Sequence, residues 1–174
     1  MKEILFLCGP NGIGKTTICN EIIKQLPNSA YVDSDSCRMM NPFILNDDTI
    51  PTISKNISDL LINYLKCSTI NTVVFSYGFH GRRKEVFQNV LMEISKEECN
   101  FIPFLLWCSE EENINRMNID NRSYDRIQRA LNESRKDFDD VIYPKIDITN
   151  LSAYEAAKTI ITKTKSGVYQ KKNI

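Results

Sequence analysis

The sequence has few of the residues that build metal or disulfide sites. His80 is the only histidine among 174 residues, and none of the six cysteines stands in a C-x-x-C pair. Without paired thiols or neighbouring imidazoles, the spacings typical of a zinc site are missing. We therefore expect the cysteines to be reduced and mostly buried, as in a cytoplasmic protein.

Long apolar runs and an excess of charge are missing as well. No apolar stretch approaches the roughly 20 residues that cross a membrane. The 22 basic and 22 acidic residues give a formal net charge of zero, which argues against a nucleic-acid or membrane-surface partner. No basic region with a cleavable apolar segment precedes the first apolar run, so we expect a soluble protein that is not exported. A small polar or anionic substrate fits these features better.

The length favours one domain, which we expect over residues 1–165, followed by a polar tail at 166–174. Strand-like apolar runs occupy residues 4–8, 30–32, 72–76, 101–107 and 146–148. Segments with helical periodicity occupy residues 16–26, 50–66, 83–95, two pieces between 110 and 138, and 153–163. This alternation predicts an α/β fold with a mostly parallel sheet and a ligand site at the carboxyl ends of the strands.

A phosphate-binding loop follows the first apolar run. Residues 9–16 read GPNGIGKT, a complete G-x-x-x-x-G-K-[ST] motif between a strand and a helix. The glycines let backbone N–H groups point at phosphate oxygens, and the helix adds the positive end of its dipole. We expect Lys15 to reach the terminal phosphates and the Thr16 hydroxyl to bind Mg²⁺. The candidate nucleotide-binding residues here are Gly9, Asn11, Gly12, Ile13, Gly14, Lys15, Thr16 and Thr17.

Two carboxylates, Asp33 and Asp35, follow the second strand at positions i and i+2. On an extended chain such residues point to the same side. Asp33 is then a candidate metal or metal-water ligand, and Asp35 a candidate general base or positioning group for an acceptor hydroxyl. The alternative is a turn in which both acids act as caps, because Asp-Ser-Asp-Ser is good turn chemistry.

Together with an arginine-rich segment late in the chain, these motifs resemble the small-molecule kinases of the P-loop superfamily, with shikimate kinase and gluconate kinase as the nearest families. The late segments that carry the resemblance read WCSEEENINR, NRSYDR, LNESR and IDITNLSAYEAA. The resemblance implies a P-loop NTPase fold like that of the nucleoside monophosphate kinases, with five strands, helices on both faces and a small helical lid at about 116–130. It also implies ATP and Mg²⁺ as cofactors and transfer of the γ-phosphoryl of ATP to a hydroxyl of a small metabolite.

The resemblance assigns roles to four further residues. Arg116 is similar in position to an arginine that lies against the adenine, and Asn150 belongs to a loop similar to one that packs on the adenine ring. Arg122 resembles a lid arginine that reaches the transferred phosphoryl group, where a guanidinium suits the spread negative charge. Arg135 resembles a substrate-binding arginine, but it could equally be a surface residue.

Helical spacing leaves another interpretation of the lid arginines open. Arg122, Arg126 and Arg129 share one helix face with interleaved acids, so they could form an ordinary solvated ion-pair face.

The chain also departs from these families. Residues 76–83 read SYGFHGRR where shikimate kinase has a triple glycine, and the expected F-R-x-x-E pattern is missing, which argues against shikimate itself. We expect residues 37–43 and 77–83 to line the acceptor pocket beside Asp35, although their Met and aromatic side chains could equally be core. The candidate contacts are Arg38, Tyr77, His80 and Arg82.

Missing motifs narrow the function classes. The third strand ends in Val-Phe-Ser and carries no Walker B acid, which argues against a mechanical or regulatory ATPase, and no N-K-x-D guanine signature occurs. A small-molecule kinase acting as a monomer or homodimer is the first hypothesis. A nucleoside or nucleotide kinase, an antibiotic-modifying kinase and a non-enzymatic nucleotide-binding regulatory module are the alternatives. A nucleotide kinase needs arginines between the second and third strands, where only Arg38 is available.

Overall fold

A computed structural model describes residues 1–167; residues 168–174 of the expected polar tail lie outside the described part. The strands are β1 (Lys2–Cys8), β2 (Ser29–Asp33), β3 (Thr72–Tyr77), β4 (Cys99–Trp107) and β5 (Lys145–Asp147). They form one parallel sheet in the order β2-β3-β1-β4-β5. The helices are α1 (Lys15–Gln25), α2 (Thr49–Lys66), α3 (Arg83–Ile94), α4 (Glu110–Ile119), α5 (Tyr124–Arg129) and α6 (Ala153–Lys165). The predicted α/β class with a five-stranded sheet is confirmed.

The central strand β1 is buried on both faces, as its unbroken apolar sequence predicts. Because side chains alternate along a strand, Phe6 enters the core under α2 and α3, whereas Leu5 and Leu7 enter the core under α1 and α6. Pro103 is tolerated opposite Phe6 in β4 because β5 pairs with β4 only from Leu105 onward, so residue 103 has no neighbour on that side.

The segment between β4 and β5 is helical and irregular. After α4 and α5 come a π-helical turn (Ala130–Ser134) and a 3-10 turn (Lys136–Phe138). Met117, Ile127 and Ala130 form a small core of their own beside the two main ones. This arrangement places α4 against the phosphate loop. Within residues 1–167, no helix is both long and apolar enough to cross a membrane.

Candidate active site

The phosphate loop connects β1 to α1 at the carboxyl edge of the sheet, under α4. Gly12 has φ of 78°, and a Cβ built on it would lie 2.3 Å from Cγ of Met117 in α4. Gly14, at φ of 97°, precedes the first residue of α1. The loop thus takes its tight curve because its glycines accept positive φ and leave room for α4.

The ammonium group of Lys15 is held inside this curve. Its Nζ donates to the carbonyl oxygens of Gly9 at 2.8 Å and Pro10 at 2.9 Å. Burial, with a smaller effect of the nearby Arg122 guanidinium, lowers the pKa of Lys15 to about 8. A desolvated ammonium beside loop N–H groups is well placed to bind phosphate oxygens.

Two oxygen ligands lie side by side next to the loop. Thr16 Oγ1 donates to Asp33 Oδ2 at 3.5 Å, and Asp33 Oδ1 accepts from the backbone N–H of Asp35 at 3.0 Å. Hydroxyl and carboxylate oxygens are the ligands that Mg²⁺ prefers in proteins. The two residues predicted to hold the metal are therefore neighbours, and their chemistry suits that ion.

A cleft of about 160 Å³ lies over the loop, and we call it the phosphate cleft. It brings together most of the residues predicted for nucleotide, metal and catalysis. Its predicted members are Asn11, Gly12, Gly14, Lys15, Thr16, Thr17, Asp33, Asp35, Arg38, Tyr77 and Arg122. Its other members are Ser34, Ser76, Gly78, Arg83 and Asp120.

Asp35 is the most exposed acid of the phosphate cleft. Its side chain is 73% exposed and forms an ion pair with Arg38, whose own side chain is only 10% exposed. The Arg38 guanidinium also lies 5.7 Å from the ring centroid of Phe43. A buried arginine thus orients a carboxylate that remains open to an incoming hydroxyl group.

A second cavity of about 700 Å³ adjoins the phosphate cleft, and we call it the arginine cavity. Asn11, Asp35, Arg38, Arg83 and Arg122 line both spaces. Its further lining residues are His80, Gly81, Arg126, Arg129, Ala130, Glu133, Ser134 and Asp137. A molecule bound in this cavity would therefore contact residues that also line the phosphate cleft.

Arg116 ties three parts of the chain together beside a third cavity of about 350 Å³. It donates from Nη1 to the Ile13 carbonyl at 2.9 Å and from Nη2 to the Ile148 carbonyl at 2.8 Å, and it pairs with Glu112 at 2.7 Å. Leu151, Ser152 and Ala153 line the same cavity, as does Arg116. This wall suits a flat base next to the loop. The neighbouring Asn150 is exposed and does not line the cavity.

Arg82 is not brought to the site. Its guanidinium forms surface ion pairs with Asp47 and Glu85 and lines neither the phosphate cleft nor the arginine cavity. Arg83 lines both; the sequence analysis placed it in the pocket-lining segment 77–83 but did not name it among the candidate contacts. The reason is local: α3 begins at Arg83, and the helix start turns adjacent side chains in different directions. The two consecutive arginines before the helix were the sequence signal for a cationic contact, but the sequence does not show which of the two enters the cavity.

Arg135 also lies away from both cavities. Its guanidinium donates to the Cys108 carbonyl at 3.0 Å and to Asn113 Oδ1 at 3.2 Å, and it lies 4.2 Å from the ring centroid of Trp107. These contacts join the segment after the π-helical turn to β4 and α4. The geometry indicates a structural role for Arg135.

Tyr77 reaches the phosphate cleft only at its wall. The side chain is 1% exposed, and its ring lies 5.6 Å from that of Phe87 in the core. Its hydroxyl donates to the Arg83 carbonyl at 3.1 Å, and burial raises its pKa to about 12. Of the two alternatives for this residue, the geometry favours core packing, with the hydroxyl fixing the start of α3.

His80 lies in the wall of the arginine cavity. Its Nδ1 is buried and has no hydrogen-bond partner among the described residues. A Cβ built at Gly78 would lie 3.9 Å both from this atom and from Lys15 Nζ, so the imidazole and the ammonium group both border the position of Gly78. Burial, followed by the charges of Arg83 and Lys15, lowers the pKa of His80 to about 4. The imidazole is therefore neutral at pH 7.

Comparison with known proteins gives matches only among solved structures. No protein-family model and no curated protein sequence matches the chain. It is similar to the tunicamycin resistance protein of Deinococcus radiodurans, with a TM-score of 0.66, 14% identity and coverage of 94% of this chain and 96% of the other. For the Mycobacterium tuberculosis APS kinase CysC, in complex with AMPPNP and APS, the TM-score is 0.65 and the identity 12%, with coverage of 94% of this chain and 98% of the other. For the shikimate kinase of Acinetobacter baumannii, in complex with shikimate, the TM-score is 0.62 and the identity 16%, with coverage of 98% of this chain and 97% of the other.

The chain has the fold of the P-loop small-molecule kinases. The similarity spans nearly the whole of each chain, so it includes the segment between β4 and β5 as well as the phosphate loop. The resemblance stated from the sequence is thereby confirmed at the level of the fold.

Proposed function

We propose that the protein is an ATP- and Mg²⁺-dependent phosphotransferase that moves the γ-phosphoryl group of ATP to a hydroxyl group of a small metabolite. The observation that carries the proposal is that Lys15, Asp35 and Arg122 line one cleft at the carboxyl edge of the parallel sheet. Ligand sites of such sheets lie at this edge. The similar solved structures include two described as kinases, which supports a kinase reaction.

On the nucleotide side, the chain supplies positive charge and a fixed position. The loop amides and Lys15 would bind the phosphates, and the cavity beside Arg116 would take the base. Thr16 and Asp33 would hold Mg²⁺, which when bound neutralises charge on the phosphate oxygens.

On the acceptor side, Asp35 and Arg122 act on the reacting atoms. The acceptor oxygen forms a bond to the γ-phosphorus, the bond from that phosphorus to the bridging oxygen breaks, and ADP leaves with the electron pair. The hydroxyl proton passes to the Asp35 carboxylate and then to solvent. Arg122, which lines both cavities, stabilises the charge that spreads over the transferred oxygens. Positioning and charge stabilisation supply most of the rate.

The alternatives differ from this proposal in ways that one assay separates. A nucleoside or nucleotide kinase and an antibiotic-modifying kinase perform the same transfer to another acceptor. A nucleotide-binding regulatory module binds ATP without turnover. The cytoplasmic location and the monomeric or homodimeric state remain predictions.

The test is a coupled ADP-release assay with ATP, Mg²⁺ and pooled acceptors. The pools are sugars and sugar acids, nucleosides and nucleotides, and antibiotics with free hydroxyl groups. We expect one pool to stimulate release, and we expect Asp35→Asn and Arg122→Ala to lower that rate by roughly 100-fold or more while binding of a non-hydrolysable ATP analogue is retained. Asp59→Asn is the matched control, because Asp59 forms an exposed ion pair with Lys55 on the surface of α2. Analogue binding with no stimulation by any pool would instead support the regulatory module.

A further inference from the structure

The arginine cavity holds more positive than negative charge. Five arginines and three carboxylates line it. Asp35 is paired with Arg38, one of these five arginines, and Arg122 is paired at 3.3 Å with Asp120 of the phosphate cleft. Asp137 is paired with Lys84 at 2.8 Å. The remaining arginines, Arg83, Arg126 and Arg129, outnumber the remaining carboxylate, Glu133, and the imidazole in the wall adds no charge at pH 7. A molecule in this cavity therefore faces an excess of positive charge.

Among the arginines of this cavity, Arg83 is the one that is partly buried and still has no partner within the described part of the chain. Its side chain is half-buried, yet its guanidinium makes no hydrogen bond or ion pair with any residue of 1–167. The backbone is fixed, because the Arg83 carbonyl accepts the Tyr77 hydroxyl at 3.1 Å. Burial and the neighbouring Arg38 guanidinium lower the pKa of Arg83, against the opposing effect of the Asp35 carboxylate, and arginine remains charged in proteins. A half-buried, unpaired guanidinium on a fixed backbone is stabilised by an anion that enters its cavity.

His80 supplies a second, independent observation in the same wall. Its buried Nδ1 has no partner among the described residues, and a buried polar atom normally has one. A neutral imidazole offers one donor and one acceptor, so it can bind either an oxyanion oxygen or a hydroxyl group of a ligand. Two unsatisfied polar groups of different kinds thus line one cavity.

The position of Arg83 relates the arginine cavity to the reaction. Arg83 and Arg38 line the phosphate cleft as well as the arginine cavity, and so does Asp35, which is paired with Arg38. An anionic group bound at Arg83 would therefore place the rest of its molecule next to Asp35. The sequence analysis found only Arg38 between β2 and β3, where a nucleotide kinase needs several arginines; Arg83, which lies after β3, brings a second arginine to the same two cavities.

We propose that the acceptor is itself an anion, a small hydroxyl compound whose phosphate, sulfate or carboxylate group is bound by Arg83 beside Arg38. The proposal rests on the proposed function and specifies the substrate class of that same site. It excludes neutral sugars, neutral nucleosides and neutral antibiotics as the preferred acceptors.

The first experiment compares matched acceptors in the ADP-release assay. Neutral hydroxyl compounds are tested against their phosphate monoesters, their sulfate esters and the corresponding hydroxy acids, so that the active pool names the anionic group. We expect an anionic pool to stimulate release, and we expect Arg83→Ala to raise KM for that acceptor by about tenfold or more while KM for ATP stays within about twofold. Arg83→Lys, which keeps the charge and loses the fork, should fall between the two.

Arg82→Ala is the matched control, since Arg82 is the adjacent arginine and lines neither cavity. It should leave KM for the acceptor unchanged. Preference for a neutral acceptor, or equal KM values in Arg83→Ala and Arg82→Ala, would overturn the proposal while the kinase function stands.

The second experiment does not depend on turnover. The full-length protein is saturated with a non-hydrolysable ATP analogue, which fills the phosphate loop, and is then titrated with inorganic sulfate by calorimetry. We expect one sulfate to bind, about tenfold or more weaker in Arg83→Ala and unchanged in Arg82→Ala. Absence of sulfate binding, or binding that does not depend on Arg83, contradicts the anion site. Sulfate binding that depends on Arg83, together with no release by any pool, would contradict the kinase function and leave an anion site.

Discussion

The hydroxyl of Ser134 accepts a hydrogen bond at 3.0 Å from the backbone N–H of Asn11, a residue of the phosphate loop 123 positions earlier in the chain. The carbonyl of Asn11 accepts from Asn113 Nδ2 at 3.1 Å, so side chains from outside the loop hold both the backbone N–H and the backbone C=O of this residue. Asn113 and Ser134 are almost fully buried. The loop therefore depends for its shape on α4 and on the π-helical turn.

Removal of the Asn113 amide should damage the loop. In Asn113→Ala, the carbonyl of Asn11 and the guanidinium of Arg135 each lose a buried partner, so we expect the free energy of unfolding to fall by about 1–3 kcal/mol. Affinity for a non-hydrolysable ATP analogue should fall as well. Urea denaturation and equilibrium titration measure the two effects. Asn115→Ala on the same helix is the control, because Asn115 is exposed and its amide donates to the surface residue Glu112. Equal effects of the two variants would refute the coupling.

Gly12→Ala should be destabilising for two separable reasons. The backbone has φ of 78°, and the added Cβ would lie 2.3 Å from Cγ of Met117. Gly81 has φ of 55° with nothing within 4 Å of its Cβ position, so Gly81→Ala reports the backbone strain alone, about 1 kcal/mol. We expect Gly12→Ala to cost about 1–3 kcal/mol more than Gly81→Ala in urea denaturation. Equal costs would mean that α4 yields readily to the methyl group.

The sequence was sufficient for the parts of the site that are local in the chain. The apolar run of β1, the glycine-rich loop and the helical stripe of α1 are contiguous, and each predicts its neighbour, so the phosphate loop and its lysine could be placed correctly. Asp33 and Asp35 both line the phosphate cleft, but strand alternation is not the reason: β2 ends at Asp33, Asp35 is in the αR conformation, and the Asp33 carboxylate accepts from the Asp35 N–H, which is the turn given as the alternative.

What could not be predicted depends on contacts between distant segments. Arg82 and Arg83 are equivalent in the sequence, and only the start of α3 decides which one enters the arginine cavity. Arg135 resembled a substrate-binding arginine, and the sequence could not show its partners, Cys108 and Asn113, because they are more than 20 residues away in the chain. The π-helical turn has no sequence pattern that distinguishes it from a continuing helix, yet it positions Ser134.

Nucleotide affinity should fall in alkaline solution because of Lys15. Burial lowers the pKa of this ammonium group to about 8 from its ordinary 10.5, so the free protein loses the charge as the pH rises above about 8. Bound phosphates favour the charged form, and binding above that pH must therefore take up a proton. We expect constant affinity for a non-hydrolysable ATP analogue at lower pH and a decline above about pH 8, approaching tenfold per pH unit. Calorimetry in two buffers of different ionisation enthalpy detects the proton.

Lys15→Gln is the control for this pH dependence. It should bind the analogue weakly at every pH and without proton uptake, since the titrating group is gone. If the wild-type affinity is flat to pH values well above 8, the lysine does not lose its proton in the folded protein.

His80 should remain neutral in the folded protein across the physiological range. Burial is the main cause of its low pKa of about 4, and the charge of Arg83 is the next. Because His80 is the only histidine, the imidazole C–H signals in the NMR spectrum of the untagged protein belong to it without further assignment. We expect those signals to keep the shifts of the neutral form down to about pH 5, and we expect Arg83→Ala to move the titration to higher pH.

The low pKa of His80 also makes the free energy of unfolding depend on pH. Between about pH 6.5 and 4 the unfolded chain binds a proton on His80 and the folded protein does not, so the free energy of unfolding should fall as the pH falls through this window. His80→Gln removes the group and should flatten that part of the profile measured by urea denaturation. A folded-state midpoint at or above 6.5 would show instead that the imidazole is solvated, and it would remove the support that His80 gives to the anion site.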